Sequence, residues 1–430
     1  MKPVYILIAI LLAVDNVFIR FRIGGLSYDR LLEFILFFVF FKVYLSETIE
    51  NPFFKKWNRF IILFALLQLV INFNLAIWGK IDFEVVYTDF VKCFSFLVYS
   101  FLFLLLVKKD IKYINIILFV HFLICIFAFL QHPLSPIASQ MMEIKKMLYS
   151  TGNAEDILSK LGLEETYVEG GFANRFRLSG PFNSSISFSY FAISSFILNL
   201  YMYLRFKKKI YIFFLGTLFI ASVLSQTRSL LLAEICLVFG YMFFAPSKRQ
   251  SIIKLVMVAG ALAAIIFVYV GQDMLSTGES RITKISSKGD NRPLLWLTGI
   301  YTVIKHPFGI TEQEYVEARK EMFVAFGDRG ILQLAAHNGL INVGFHYSIF
   351  GYVLFFFFVL FLLRQINELE PKYVIFFRLT LFAYLIQASF HNNFILSSDY
   401  PYLMILILIW ADWDKNSLKG ENKEIQLASN

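Results

Sequence analysis

Apolar runs long enough to cross a bilayer recur along this sequence, at about 3–19, 29–46, 60–78, 87–107, 113–130, 186–204, 210–226, 229–245, 252–271, 340–363, 373–390 and 398–412. Inside hydrocarbon a segment must satisfy its own backbone hydrogen bonds, so uninterrupted runs of ~17–25 residues resolve as helices. The expected fold is an all-α polytopic membrane protein of about twelve transmembrane helices, with residues 1–430 forming a single integral membrane domain. Composition agrees, since 58% of the residues are hydrophobic and 51 are phenylalanine, where a soluble domain holds ~45–50% apolar residues. The first run lacks a small-x-small cleavage site and many more apolar runs follow it, so it reads as a retained helix rather than a signal peptide. Cys93, Cys125 and Cys236 all lie in apolar runs, with neither a disulfide framework nor metal-ligand spacing, and read as packing residues.

Charges between the runs set the orientation. Every second loop is basic: Lys55, Lys56 and Arg59; Lys108, Lys109 and Lys112; Arg205, Lys207, Lys208 and Lys209; Lys248, Arg249 and Lys254; then Arg364 and Lys372. Basic loops stay cytoplasmic, so both termini, including the polar tail 413–430, are expected inside. The same pattern accounts for part of the net charge of +9 without invoking nucleic acid. It places two long polar stretches, 131–185 and 272–338, on the outer face. ATP and nucleotide sugars are absent there, so a synthetic reaction in these loops must draw its energy from a lipid-linked substrate. Within the loops, about Met141–Leu161 and Glu312–Phe326 are expected to form amphipathic helices, in the interfacial plane or packed on the bundle. No internal repeat is visible, which counts against a transporter.

Four polar clusters converge on the outer side. They are Asn174-Arg175-Phe176-Arg177-Leu178-Ser179-Gly180-Pro181-Phe182-Asn183; the tight turn Ser225-Gln226-Thr227-Arg228-Ser229; Asp290-Asn291-Arg292 running to Trp296, with Lys305-His306-Pro307-Phe308-Gly309 after it; and Ala336-His337-Asn338-Gly339. A guanidinium never loses its charge and donates bidentate hydrogen bonds, so Arg177, Arg228 and Arg292 together suit a diphosphate without a metal. The short turn keeps Arg228 at the rim of the bundle, where it needs an anionic partner. His337 is the best-placed group to take a proton from a sugar hydroxyl near neutral pH. Arg175, Asn338 and His306 are secondary candidates, with His306 a turn residue before Pro307. No acidic metal cage is evident, because Asp290 and Asp328 stand isolated. Glu33, Glu234 and Arg378 fall inside apolar runs and are expected to pair structurally.

In this order and topology the clusters resemble the O-antigen ligase and O-antigen polymerase superfamily, bacterial inner-membrane glycosyltransferases acting on undecaprenyl-diphosphate-linked glycans. The matching pieces are Arg177-Leu-Ser-Gly180-Pro-Phe182, Ser225-Gln-Thr-Arg228, Arg292-Pro-Leu-Leu-Trp296 with His306-Pro-Phe-Gly309, and His337-Asn338 followed by Gly344 and Gly351. Thr311 stands where the family usually carries a second glycine.

The resemblance implies a helical glycosyltransferase of the lipid-phosphosugar type, with its site between the outer loops and the bundle, and metal-independent inverting transfer with no cofactor. His337 would activate the acceptor hydroxyl, while Arg228, Arg177 and Arg292 would hold the departing diphosphate. The implied substrates are the lipid-linked glycan and an acceptor glycan or glycolipid, in contact with membrane lipid, and a chain-length regulator is the implied protein partner. Polymerisation of repeat units is the favoured activity, with ligation of the finished glycan to lipid A-core as the alternative. A flippase or exporter of lipid-linked oligosaccharide ranks lower, because it has little use for large outer loops.

Overall fold

The computed structural model of the protein describes residues 3–14, 17, 22–23, 26–132, 134–149, 178–182, 185–225, 227–244, 292–327, 330–333, 336, 338–369 and 371–390. The expected spans 252–271 and 398–412, the tail 413–430, and residues 150–161 of the first amphipathic stretch lie outside the described residues. Most of the expected loops 131–185 and 272–338 is described only in part.

In chain order the described helices are α1 (Pro3–Ala13), α2 (Tyr28–Val39), α3 (Phe41–Glu50), α4 (Pro52–Ile77), α5 (Phe83–Lys109), α6 (Ile114–Leu130), α7 (Ala138–Tyr149), α8 (Ser185–Phe206), α9 (Lys209–Leu224), α10 (Arg228–Phe244), α11 (Arg292–Lys305), α12 (Glu312–Phe326), α13 (Gly330–Gln333), α14 (Gly339–Asn367) and α15 (Pro371–Ser389). A two-residue antiparallel ladder pairs Arg22 with Ser27 and Ile23 with Leu26.

The protein is a helical membrane protein, but not every expected run reaches spanning length. Among the described residues, α4, α5, α8, α14 and the segment Ile111–Leu130 that contains α6 are long and apolar enough to cross a bilayer. The helices α1, α9, α10 and α15 are apolar but shorter. At ~1.5 Å per residue, the 16 residues of α9 reach roughly 24 Å of a hydrocarbon core about 30 Å thick.

Two runs expected as single helices differ. Of the run at 3–19, Pro3–Ala13 is helical, while the described Val14 and Val17 are not. The run at 29–46 bends at Phe40, whose φ of −99° and ψ of 15° leave the helical region and separate α2 from α3. The bend gathers Phe37, Phe41 and Tyr44 with Phe94 and Phe101 into one aromatic cluster, in which Phe37 is buried.

The chain sorts into two compact units, residues 1–33, 105–285 and 371–383 in the first, and 34–104, 286–370 and 384–430 in the second. In the first unit α8 is central. It is the least apolar of the spanning helices yet the most buried, because its Ser189, Ser194, Ser195 and Asn199 face protein rather than lipid. Small and hydroxylated residues let helices approach closely inside a membrane. Tyr201 of α8 packs on Tyr373, Phe376 and Phe377 of α15.

In the second unit α4 starts on a local signal. The Asn51 side chain accepts from the amides of Phe53 and Phe54, and Pro52 occupies the first turn, where its missing N–H costs nothing. Asp89 of α5 accepts from Gln68 and Asn72 of α4 at 2.9 and 2.8 Å and pairs with Lys92 at 3.0 Å, which satisfies a buried carboxylate. Within α14, Ser348 leaves helical geometry with a φ of 58°. The amide of Ile349 donates instead to the Pro307 carbonyl, joining α14 to the turn after α11.

Candidate active site

In the first unit the segment 178–182 is fixed from several sides. The Leu178 amide donates to the Leu224 carbonyl at the end of α9, and the Phe182 amide donates to the Ser179 carbonyl to close a turn. Gly180 sits in that turn with a φ of +56°, and a Cβ there would stand 3.2 Å from Ala128 Cβ of α6. A side chain would therefore be strained by both the backbone and α6. The Ser179 hydroxyl accepts a hydrogen bond at 2.5 Å from Lys145 of α7, a lysine left 1% exposed. Burial pushes the Lys145 ammonium down to about 7.

The turn from α9 into α10 carries a run of hydrogen bonds. The Ser222 hydroxyl donates to Glu234 Oε1 at 2.7 Å, and Ser225 donates to the Ser222 carbonyl at 2.7 Å. The Thr227 amide donates to Ser225 Oγ at 3.3 Å, and its hydroxyl reaches the Ser185 carbonyl at 3.4 Å. Glu234, expected to pair structurally, thus accepts a hydroxyl from the neighbouring helix. Arg228 is the first residue of α10, where unpaired backbone amides and the helix dipole favour an anion.

In the second unit Arg292 likewise heads α11. Gly299 and Gly344 bring α11 against α14: a Cβ on Gly299 would fall 2.7 Å from Ile341 Cγ2, and one on Gly344 2.7 Å from Val303 Cγ2. Val303, Ala336 and Ile341 form a buried cluster there, with Trp296, Ile310, Phe345 and Tyr352 packed on it.

Thr311, where the resemblance leads to a glycine, caps α12. Its hydroxyl accepts from the Glu314 amide, the Glu314 carboxylate accepts from the Thr311 amide, and Gly327 ends the helix with a φ of 70°. The expected amphipathic helix Glu312–Phe326 is observed with those bounds. Glu314 also pairs with Lys80 at 2.8 Å and stands 3.8 Å from His306 Nδ1. Burial raises the Glu314 pKa, but the Lys80 and Thr311 hydrogen bonds outweigh it and leave the carboxyl below its ordinary value. His306, read as a turn residue, follows the last residue of α11.

Asn338 is the N-cap of α14, its side chain accepting from the amides of Leu340 at 2.9 Å and Ile341 at 3.3 Å. Ala336 and Asn338 are both buried. His337, Arg175, Arg177, Asp290 and Asp328 lie outside the described residues. Of the arginines meant to share a diphosphate, Arg228 belongs to the first unit and Arg292 to the second.

Among the described residues, no three His, Cys, Asp or Glu side chains gather as a metal ion would require. Sequence reasoning missed Lys145, which reads as one of two adjacent lysines on an amphipathic helix. Its only distinguishing signal is proximity to Ser179, and that exists only in the fold.

Residues 211–356 match a protein-family model described as O-antigen ligase, about a third of the chain. No curated protein and no solved structure matches the chain. The matched stretch contains Arg228, Arg292, His306, His337 and Asn338 and begins beyond Arg175 and Arg177. Over that third of its length this membrane protein is similar to the O-antigen ligase family, whose members are enzymes of the glycosyltransferase type.

Proposed function

We propose that the protein polymerises lipid-linked oligosaccharide repeat units at the outer face of the bacterial inner membrane, with both termini in the cytoplasm. The observation that carries this reading is the O-antigen ligase match over residues 211–356, which encloses Arg228 and Arg292 at the starts of α10 and α11, and His337 beside the cap of α14. The donor is a glycan on undecaprenyl diphosphate and the acceptor a second glycan. His337 takes the proton of the acceptor hydroxyl as its oxygen attacks the anomeric carbon. The bond to the diphosphate oxygen breaks with inversion.

Negative charge then develops on the leaving diphosphate, and fixed donors aimed at it lower the barrier without reorganisation. Arg228 and Arg292, the first residues of α10 and α11, would each supply a guanidinium group, and Arg177 a third. The arginines take the part a metal ion plays elsewhere, which makes the transfer metal-independent. The orientation rests on the basic alternate loops, and a chain-length regulator is the protein partner that polymerisation would engage. A second reading, transfer of the finished glycan to lipid A-core, is favoured by the description of the matched family as O-antigen ligase.

Glycan length on gels separates the two, in cells lacking the chromosomal copy and complemented with wild type, His337→Ala or Arg228→Ala. Polymerase action predicts a ladder with wild type and a single repeat unit with either variant. Ligase action predicts capped chains with wild type and accumulating long lipid-linked polymer with the variants. Full activity in both variants, at equal membrane levels, rejects the site.

A further inference from the structure

Lys145 stands apart from the basic residues of the cytoplasmic loops. It is 1% exposed, and among the described residues its ammonium makes one polar contact, to the Ser179 hydroxyl. Among the described residues no carboxylate pairs with it. Among the described residues the neighbouring segment 178–182 is Leu-Ser-Gly-Pro-Phe, without a charge, and the titratable groups of α6 are His121 and Cys125. On α7 itself, Glu143 is exposed. Burying an ionisable amine beside a single neutral hydroxyl costs several kcal/mol unless an anion joins it.

The surroundings indicate which anion. The turn that holds Ser179 is tied through Leu178 to the end of α9, and Ser185, at the start of α8, is tied to Thr227. Arg228 follows directly as the head of α10, and Arg177 lies two residues before Ser179 in the sequence. One short segment thus connects a buried lysine to the turn that leads into a candidate diphosphate arginine.

We infer that Lys145 and Ser179 form part of an anion subsite for the phosphate groups of the lipid-linked donor, with Lys145 supplying a cation in addition to the arginines. This rests on the proposed use of a prenyl diphosphate donor. Binding of the anion restores to Lys145 the charge that burial suppresses, so binding takes up a proton.

The test measures binding of farnesyl diphosphate, and separately of inorganic pyrophosphate, to the purified full-length protein by calorimetry in buffers of different ionisation enthalpy. Lys145→Met keeps the apolar stem and removes the amine. It should weaken farnesyl diphosphate binding by at least about tenfold, the loss expected for one charge-assisted hydrogen bond. Wild-type affinity should fall as pH rises above about 7, with proton uptake on binding, and both effects should vanish in Lys145→Met.

The empty variant should also resist heat better than wild type near neutral pH. A buried lysine whose pKa is depressed on folding destabilises the folded state below that pKa and loses the penalty as pH rises toward its unfolded value. Equal binding by Lys145→Met and wild type, while Arg228→Ala loses binding, overturns the inference and leaves the donor reading standing. Wild type that binds neither probe overturns both. Binding of pyrophosphate as tight as that of farnesyl diphosphate assigns the subsite to free phosphate instead of a lipid-linked donor.

Discussion

Gly344→Ala probes the seam between α11 and α14 with a single methyl group. The new Cβ would lie 2.7 Å from Val303 Cγ2, 2.8 Å from Val303 Cγ1 and 2.8 Å from the Tyr352 hydroxyl. Val303 is β-branched and buried, so its side chain has no easy alternative rotamer. The backbones must part, at an overpacking cost of ~1–3 kcal/mol. Alanine in place of glycine returns up to ~1 kcal/mol of helix propensity.

Gly216→Ala in α9 isolates that second effect, because nothing lies within 4 Å of a Cβ there. The difference between the two variants is therefore the steric cost alone. At about tenfold per 1.36 kcal/mol, Gly344→Ala should inactivate up to roughly 5- to 150-fold faster than Gly216→Ala at a fixed temperature, and less if the contact survives into the unfolding transition state. The assay is the half-life of the folded, detergent-solubilised protein, followed by size-exclusion fluorescence, with transfer activity measured on the surviving fraction. Activity should fall as well, since α11 begins at Arg292 and α14 follows directly on His337 and Asn338. Equal half-lives for the two variants would refute the close approach of these helices.

Asn338→Ala removes the acceptor for the Leu340 and Ile341 amides, so it should cost ~0.5–2 kcal/mol of stability and lower transfer. Asn338→Asp keeps the acceptor and should retain most of both, and a wild-type melt with transfer as low as in Asn338→Ala would mean that the amide group itself contacts substrate. The Lys80–Glu314 pair should fail in acid: a carboxyl whose pKa is depressed by folding stabilises above its unfolded pKa and loses that contribution as pH falls through the folded value. Inactivation rates measured from pH 6 down to pH 3 should therefore rise more steeply for wild type than for Lys80→Met, by at most about 1 kcal/mol because Lys80 is solvent-exposed. Parallel pH profiles would show the pair to be inert.

What the sequence determined by itself is what rests on local interactions. The apolar runs specify helices because hydrocarbon leaves a backbone no other partner, and α5, α6, α8 and α14 follow them closely, while α4 begins eight residues before its run, which was expected from 60 to 78, at Pro52. The helix Glu312–Phe326 was legible to the residue because its start is a capping box and its end a left-handed glycine, both signals within a few positions of the termini. The bend at Phe40 was not legible, since nothing at that position breaks a helix. It depends on aromatic partners from α5 that lie more than fifty residues away in the chain.

The candidate site divides in the same way. Arg228 at the start of α10 agrees with the turn read at 225–229, whereas the helix that Arg292 heads falls in a stretch expected as an outer loop, and the family match over 211–356 takes in both. The character of Lys145 could not be read from its neighbours in sequence, where it resembles any lysine on an amphipathic helix. Only the tertiary structure, by setting the turn at Ser179 on α7 and removing water from the amine, made it a different chemical group. The energy of a charge depends on what surrounds it in space, and for Lys145 those surroundings come from residues more than thirty positions along the chain.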